Sequence, residues 1–200
     1  MAYTTINKSS DYFNTVLYTG NGSTQSITGV GFQPDWVWVK DRTNSYEHAI
    51  FDAVRGVTKR LSSNATTAET TEANGLTAFG TDGFSVGSTS NVNYNGYNFA
   101  SWNWKANGQG SSNTDGSISS TVSANTTAGF SIVKWTGTGS ASTVGHGLGV
   151  APKCVIMKNL DDASGHWWVY HNSIGAGQRL LLNLTNASGA NTDFVNNTAP

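Results

Sequence analysis

Histidines, acidic side chains and a single cysteine are the residues of this chain that could do acid–base, nucleophilic or metal chemistry. His166 and His171 are five residues apart across a strand-like run, and alternation points them to opposite faces, which disfavours a shared metal. No Gly-x-Ser-x-Gly motif occurs, and no spacing forces two carboxylates together as glycoside hydrolysis requires. We therefore predict no catalytic residue, no metal site and no cofactor, and a protein that is not an enzyme.

Aromatic side chains are the second group that could act, because seven Trp, seven Tyr and eight Phe are many for so polar a chain. Exposed rings beside Asn, Asp and Gln could stack on sugars while the amides bind hydroxyl groups. The candidate ligand-binding residues are Trp167, Trp168, Tyr170 and His146. Adjacent strand residues face opposite ways, so either Trp167 or Trp168 should be exposed or at an interface. Protein interfaces also select aromatic residues, so sugar binding and self-assembly both stay open.

Structural roles could account for His146, for the other tryptophans and for the cysteine. His146 lies in a Gly-rich turn, where a backbone hydrogen bond could account for it. Strand periodicity explains the other tryptophans as core or sheet-packing residues; they are Trp36, Trp38, Trp102 and Trp104. Cys154 lies in an apolar run and is expected to be a small buried residue.

Strands must position these residues, because helical periodicity is nearly absent. Val, Ile, Thr and aromatic residues come in short bursts between Gly, Asn and Ser clusters, which is typical of strands. The Asp82-Gly83 and Asn95-Gly96 dipeptides are strong hairpin signals. Residues 180–182 (LLL) favour a strand buried on both faces. The pattern predicts an all-β fold built from antiparallel, jelly-roll-like β-sandwiches.

An internal repeat divides the chain. Three segments recur at an offset that drifts from 117 to 119 residues: 18–23 (YTGNGS) as 135–140 (WTGTGS), 34–41 (PDWVWVKD) as 152–159 (PKCVIMKN), and 60–66 (RLSSNAT) as 179–185 (RLLLNLT). Such a long period indicates two tandem modules rather than a solenoid. We place the first module at 1–107, a flexible Gly/Ser/Asn-rich linker or wide surface loop at 108–116, and the second module at 117–200.

The second module is predicted to be incomplete. It has no counterpart of residues 84–86 (FSV) or 102–105 (WNWK), and a sandwich without its last strands leaves an open sheet edge. Either another segment fills that edge, or the natural chain is longer than this one.

Composition limits the partners. Charged residues make up 12% of the chain and the formal net charge is −1, so no basic patch is available for nucleic acid. No apolar stretch approaches the roughly 20 residues of a membrane helix, so membrane insertion is not expected. The N-terminus lacks the pattern of a secretory signal, and one cysteine forms no intramolecular disulfide.

A family resemblance adds a functional expectation. Five segments carry it: 31–40 (GFQPDWVWVK), 51–56 (FDAVRG), 81–87 (TDGFSVG), 100–106 (ASWNWKA) and 145–153 (GHGLGVAPK). Together they resemble a family of virion-associated proteins abundant in marine bacteriophage genomes. The resemblance implies a phage structural protein of a tail fibre or receptor-binding appendage, and it supplies no catalytic residues.

The resemblance also implies where the protein acts and with what. We expect a protein made in the host cytoplasm and located in the virion, whose partners are other virion proteins and copies of itself as a homo-oligomer. Host surface glycan is a further candidate partner. Two alternatives stay open: a capsid decoration or scaffold protein without a ligand, and a carbohydrate-binding, lectin-like module.

Overall fold

A computed structural model describes residues 6–191, 193–195 and 197–200. The chain is nearly all β, as predicted, with several antiparallel sheets and little helix. The strands, in chain order, are β1 (Phe13–Thr19), β2 (Gln25–Thr28), β3 (Trp36–Asp41), β4 (Ala49–Asp52), β5 (Lys59–Arg60), β6 (Thr70–Thr71), β7 (Leu76–Gly80), β8 (Gly83–Val86), β9 (Asn98–Trp104), β10 (Ser111–Asn113), β11 (Ser120–Asn125), β12 (Phe130–Trp135), β13 (Cys154–Met157), β14 (Trp168–His171), β15 (Gln178–Leu181) and β16 (Gly189–Ala190). The helices are α1 (Ser90–Asn93) and two 3-10 turns, Ser9–Asp11 and Asn172–Ile174.

Two sheets form a sandwich from the first half of the chain. One has the strand order β1-β9-β3-β4 and the other β2-β8-β7. Strand alternation sends Val37 and Val39 of β3 into the core, where both are fully buried, and leaves Trp36 and Trp38 on the outer face. The core between the sheets is formed by Ile27, Val37, Val39, Ala49, Phe51, Leu76, Phe84, Val86, Val92 and Phe99.

Strand pairing shows the duplication directly. The β3–β4 pair recurs as β13–β14, the contact of β4 with Leu61 recurs as β14–β15, and β5–β6 recurs as β15–β16. The matched partners are Val37–Phe51 and Val155–Tyr170, Ile50–Leu61 and Val169–Leu180, and Arg60–Thr70 and Arg179–Gly189. A repeat found by letter matching is thus also a repeat of hydrogen-bonding register.

The two halves differ where β9 would be. In the first half β9 pairs with β1 on one side and with β3 on the other. In the second half β12 pairs with β11, and β13 pairs with β14 alone among the described residues. The predicted two-sided burial of residues 180–182 is wrong, because Leu180 is half-buried and Leu182 is 38% exposed. The expected burial of Cys154 is also wrong, because Cys154 is exposed.

The predicted linker is partly a strand. Residues 111–113 form β10, which pairs with β11 through Ser112 opposite Thr121. Gly110 lies against the backbone of Val122, so close that a side chain at position 110 would collide with it. Polar Ser and Asn residues at a sheet edge satisfy their backbone groups by pairing, which the Gly/Ser-rich composition did not indicate. None of the helices formed by the described residues has the length and apolar character to span a bilayer.

Candidate functional site

Trp167, one of the residues predicted to bind a ligand, is buried between the two halves. Only 2% of it is exposed, and it packs with Ile50 and Leu61 on the outer face of the first module's sheet. Its indole Nε1–H donates to the carbonyl oxygen of Ser62 over 2.9 Å. The expectation that Trp167 or Trp168 lies at an interface therefore describes Trp167, whose ring is not available to a sugar.

The other three predicted residues lie in different environments. Tyr170 is 1% exposed and faces the inner side of β14, so its ring is closed to ligand as well. Trp168 is half-buried, with the Arg179 guanidinium 4.5 Å from the ring centre and Phe194 packed edge-on at 5.6 Å. His146 lies in a turn packed on β11, where its Nδ1 accepts the Leu148 N–H at 3.1 Å. The backbone-held histidine was the alternative drawn from the sequence.

An exposed group of tyrosines lies elsewhere, at one end of the first sandwich. Tyr46 and Tyr94 are 39% and 42% exposed, and their ring centres are 6.5 Å apart. Tyr97 extends the group, with its ring centre 4.3 Å from that of Tyr94. Tyr46 lies in the β3–β4 loop, whereas the other two flank the Asn95-Gly96 turn that leads into β9. We call these three residues the tyrosine cluster.

Pairing between distant strands creates the tyrosine cluster. Because Asp41 at the end of β3 lies opposite Phe99 of β9, the loop after β3 meets the turn before β9. The Arg42 N–H donates to the Asn98 carbonyl oxygen at 2.7 Å and extends this pairing by one residue. The Asn44 side chain then donates to the Tyr97 hydroxyl at 2.9 Å, which holds the two loops together.

A polar depression adjoins the tyrosine cluster. Its lining is Tyr46, Glu47, Arg60, Thr89, Ser90 and Asn91. The Arg60 guanidinium binds Glu47 at 2.8 Å and Glu72 at 2.6 Å. One positive charge beside two negative charges leaves this group with a net negative charge. Asn91 is 7% exposed, and its Oδ1 has no hydrogen-bond partner among the described residues; the same holds for Arg60 Nε.

The chemistry of this surface suits a neutral hydroxylated ligand. Aromatic rings offer apolar faces, and buried polar groups strongly favour hydrogen-bonded partners. The depression is lined by Tyr46 together with Asn91 and Arg60, each of which has a buried polar atom without a hydrogen-bond partner among the described residues. Glu47 in the same lining disfavours an acidic ligand.

Comparison with known families places the chain in one of them. Residues 8–200 match the model of a family described as a domain of unknown function, DUF7483. The chain belongs to the DUF7483 family. The match covers both copies of the repeat. No curated protein and no solved structure matches the chain.

Within the described residues of this DUF7483 chain, no group of three or more His, Cys, Asp or Glu side chains could hold a metal ion. The expectation that the protein is not an enzyme stays a prediction.

Sequence reasoning missed the tyrosine cluster, although its signal was present in residues 93–98 (NYNGYN), where two tyrosines flank a turn dipeptide.

His48, next to this surface, has a lowered pKa. The indole Nε1–H of Trp38 donates to its Nδ1 at 2.8 Å, which requires an unprotonated Nδ1. Burial lowers the pKa of His48 below its ordinary value of 6.5, and the charge of Lys40 lowers it further. Unfolding therefore takes up a proton at this position when the pH lies between the two pKa values.

We expect a pH dependence of stability from His48. The free energy of unfolding should fall as the pH drops below about 6.5, because the unfolded chain binds the proton more tightly. The His48→Asn variant offers an acceptor to Trp38 and does not titrate, so its stability should change less between about pH 7 and pH 5. Urea unfolding of both proteins across that range measures the difference. Equal slopes would remove His48 as the cause.

Proposed function

We propose that this chain is a structural component of a bacteriophage virion, in a tail fibre or receptor-binding appendage, and that it contacts neutral host-surface glycans. The virion part of the proposal rests on the resemblance carried by the five segments described from the sequence. The glycan part moves from Trp167, Trp168, Tyr170 and His146 to the tyrosine cluster.

One observation carries the glycan contact: exposed rings of Tyr46 and Tyr94 beside a depression lined by buried Asn91 with an unpartnered amide oxygen. An exposed aromatic ring can bind the apolar face of a sugar, and a neighbouring polar side chain can bind its hydroxyl groups. Such a shallow contact is weak by itself. Repeated copies in a virion would raise its effective strength through multivalency.

A second candidate is a scaffold without a ligand, which the contact between the two halves favours. The outer face of the first module carries Trp36 and Trp38 and is covered by Trp167 of the second. The repeat places Cys154 and Ile156 at the positions of those two tryptophans, and both are exposed. Ile156 pairs with Val169, which lies on the same face of β14 as Trp167, so the two halves meet through equivalent faces of their sheets. The exposed Cys154 and Ile156 extend that face as an apolar surface on which another virion protein could pack.

A glycan array with the full chain tests the ligand. Tyr94→Ala should lower binding of the recognised glycan by roughly tenfold or more, because it removes the exposed ring that lies between Tyr46 and Tyr97 in the tyrosine cluster. Tyr94→Phe keeps the ring and should keep most of the binding. Trp135→Ala, which truncates an aromatic residue 38% exposed in the second module, is the matched control.

The array outcomes separate the candidates. No signal for any glycan would favour the scaffold function. A signal lost in Trp168→Ala but kept in Tyr94→Ala would return the site to the position predicted from the sequence. Native mass spectrometry and peptide mass spectrometry of purified particles test the virion assignment. A stable monomer that never occurs in particles would contradict it.

A further inference from the structure

The outer edge of β13 has unused backbone hydrogen-bonding groups. The Asn172 N–H donates to the Lys153 carbonyl oxygen at 2.8 Å, so Lys153 faces the neighbouring strand β14. Backbone groups of an antiparallel strand alternate between its two edges. The backbone N–H and C=O groups of Val155 and Met157 therefore point to β14, while those of Cys154 and Ile156 point to the opposite edge. Within residues 6–191, no strand pairs with that edge.

The first module shows what covers the equivalent edge. There β9 pairs with the whole length of β3, with Trp104 opposite Trp36 and Trp102 opposite Trp38. The Arg42 N–H donates to the Asn98 carbonyl oxygen in the same register. The backbone groups of alternate residues from Arg42 back to Trp38 therefore point to β9. Trp38 thus uses for β9 the backbone groups that the repeat leaves free at Ile156.

The side chains at this edge define the missing strand. Cys154 and Ile156 replace two tryptophans, and both are exposed, Ile156 to 43%. In the first module each of the two positions lies opposite a tryptophan of β9. A strand with bulky apolar residues at alternate positions would cover both side chains, and an uncharged one would suit the apolar surface.

We infer that the free edge of β13 binds an extended, uncharged segment of another polypeptide, with aromatic residues at alternate positions, as an added antiparallel strand. The segment takes the place beside β13 that β9 takes beside β3. The chain's own β9 is held between β1 and β3 and is not available for this role. Strand addition to an open edge is an established mode of peptide recognition, and an uncovered edge is a liability that folded proteins avoid. This inference does not depend on the proposed virion function.

A peptide of residues 97–104 (YNFASWNW) is the probe, because it is uncharged in its side chains and carries the β9 pattern. We expect the full chain to bind it in a calorimetric or fluorescence-anisotropy titration. In the β9 register the Trp102 N–H faces the acceptor strand and the Asn103 N–H faces away. N-methylation at Trp102 should weaken binding by roughly tenfold or more, whereas N-methylation at Asn103 should have little effect.

Variants of the protein complete the test. Ile156→Pro removes an N–H that points to the free edge and breaks no bond to β14, so the fold should persist. It should abolish peptide binding, while Ile156→Thr, which keeps the N–H, should retain it. Circular dichroism and the unfolding midpoint report whether each variant is folded.

Three results would overturn the inference. The first is no binding of the unmethylated peptide, and the second is binding that folded Ile156→Pro retains. The third is a homodimer, lost in Ile156→Pro, in a protein that ignores the peptide. That result would assign the edge to a second copy of this chain instead of a β9-like strand.

Discussion

Replacing Trp167 with alanine is expected to lower the free energy of unfolding by about 3–5 kcal/mol, the usual cost of truncating a buried aromatic residue. Trp167 is 2% exposed and fills the contact between the halves, against Ile50 and Leu61. The truncation leaves a cavity at that contact and also removes the donor to the Ser62 carbonyl oxygen. Each half should then unfold with less dependence on the other.

Urea unfolding followed by far-ultraviolet circular dichroism measures this effect without relying on tryptophan fluorescence. Trp167→Phe keeps most of the apolar contact and loses the hydrogen bond, so it should cost less than the alanine variant. Trp135→Ala, at a tryptophan 38% exposed, should change stability by no more than about 0.5 kcal/mol. A loss below about 1 kcal/mol in Trp167→Ala would show that the two halves do not depend on this contact.

Local pattern was sufficient to predict the fold class and the repeat. Alternation in residues 36–39 indicated a strand. The match of residues 34–41 with 152–159 predicted a second strand there, and the structure shows that this strand, β13, pairs as β3 does. The missing counterpart of β9 was also predicted, and the open edge of β13 follows from it. These features are encoded within a few residues of one another, or in a direct comparison of two copies.

Features that depend on contacts between distant residues could not be predicted in the same way. Strand periodicity shows that Trp167 and Trp168 face opposite sides, but only the packing of one module on the other decides that Trp167 is buried. The tyrosine cluster depends on the pairing of β3 with β9, which joins residues 58 to 68 positions apart in the chain. His48 and Trp167 occupy matched positions of the two copies. The sequence shows that these residues differ, but not that the tryptophan fills the contact between the halves.

Arg55 offers the second large effect, through a buried ion pair in the first module. Its side chain is 5% exposed, and its Nε donates to Asp52 over 2.5 Å, with Asp52 only 2% exposed. A second nitrogen, Nη1, binds Glu69 at 3.1 Å and the Lys59 carbonyl oxygen at 3.0 Å. The guanidinium therefore joins β4 to the segment that carries β5 and β6.

Arg55→Ala is expected to destabilise the chain by about 3–5 kcal/mol, because it leaves the buried Asp52 carboxylate without its cationic partner. Chemical denaturation at neutral pH measures the loss. The control is Lys8→Ala, which breaks the ion pair with Asp11 at side chains 70% and 54% exposed and should cost less than about 1 kcal/mol.

A double variant distinguishes an unpaired charge from lost packing. If the unpaired charge of Asp52 causes most of the destabilisation, Asp52→Asn combined with Arg55→Met should be more stable than Arg55→Met alone, because the double variant has no unpaired carboxylate. If packing dominates, the double variant should be no more stable than the single one. Equal stability of Arg55→Ala and the unchanged chain would contradict both explanations and would mean that the Asp52 carboxylate is stabilised by its backbone hydrogen bond from Arg55, over 2.8 Å, and not by the guanidinium.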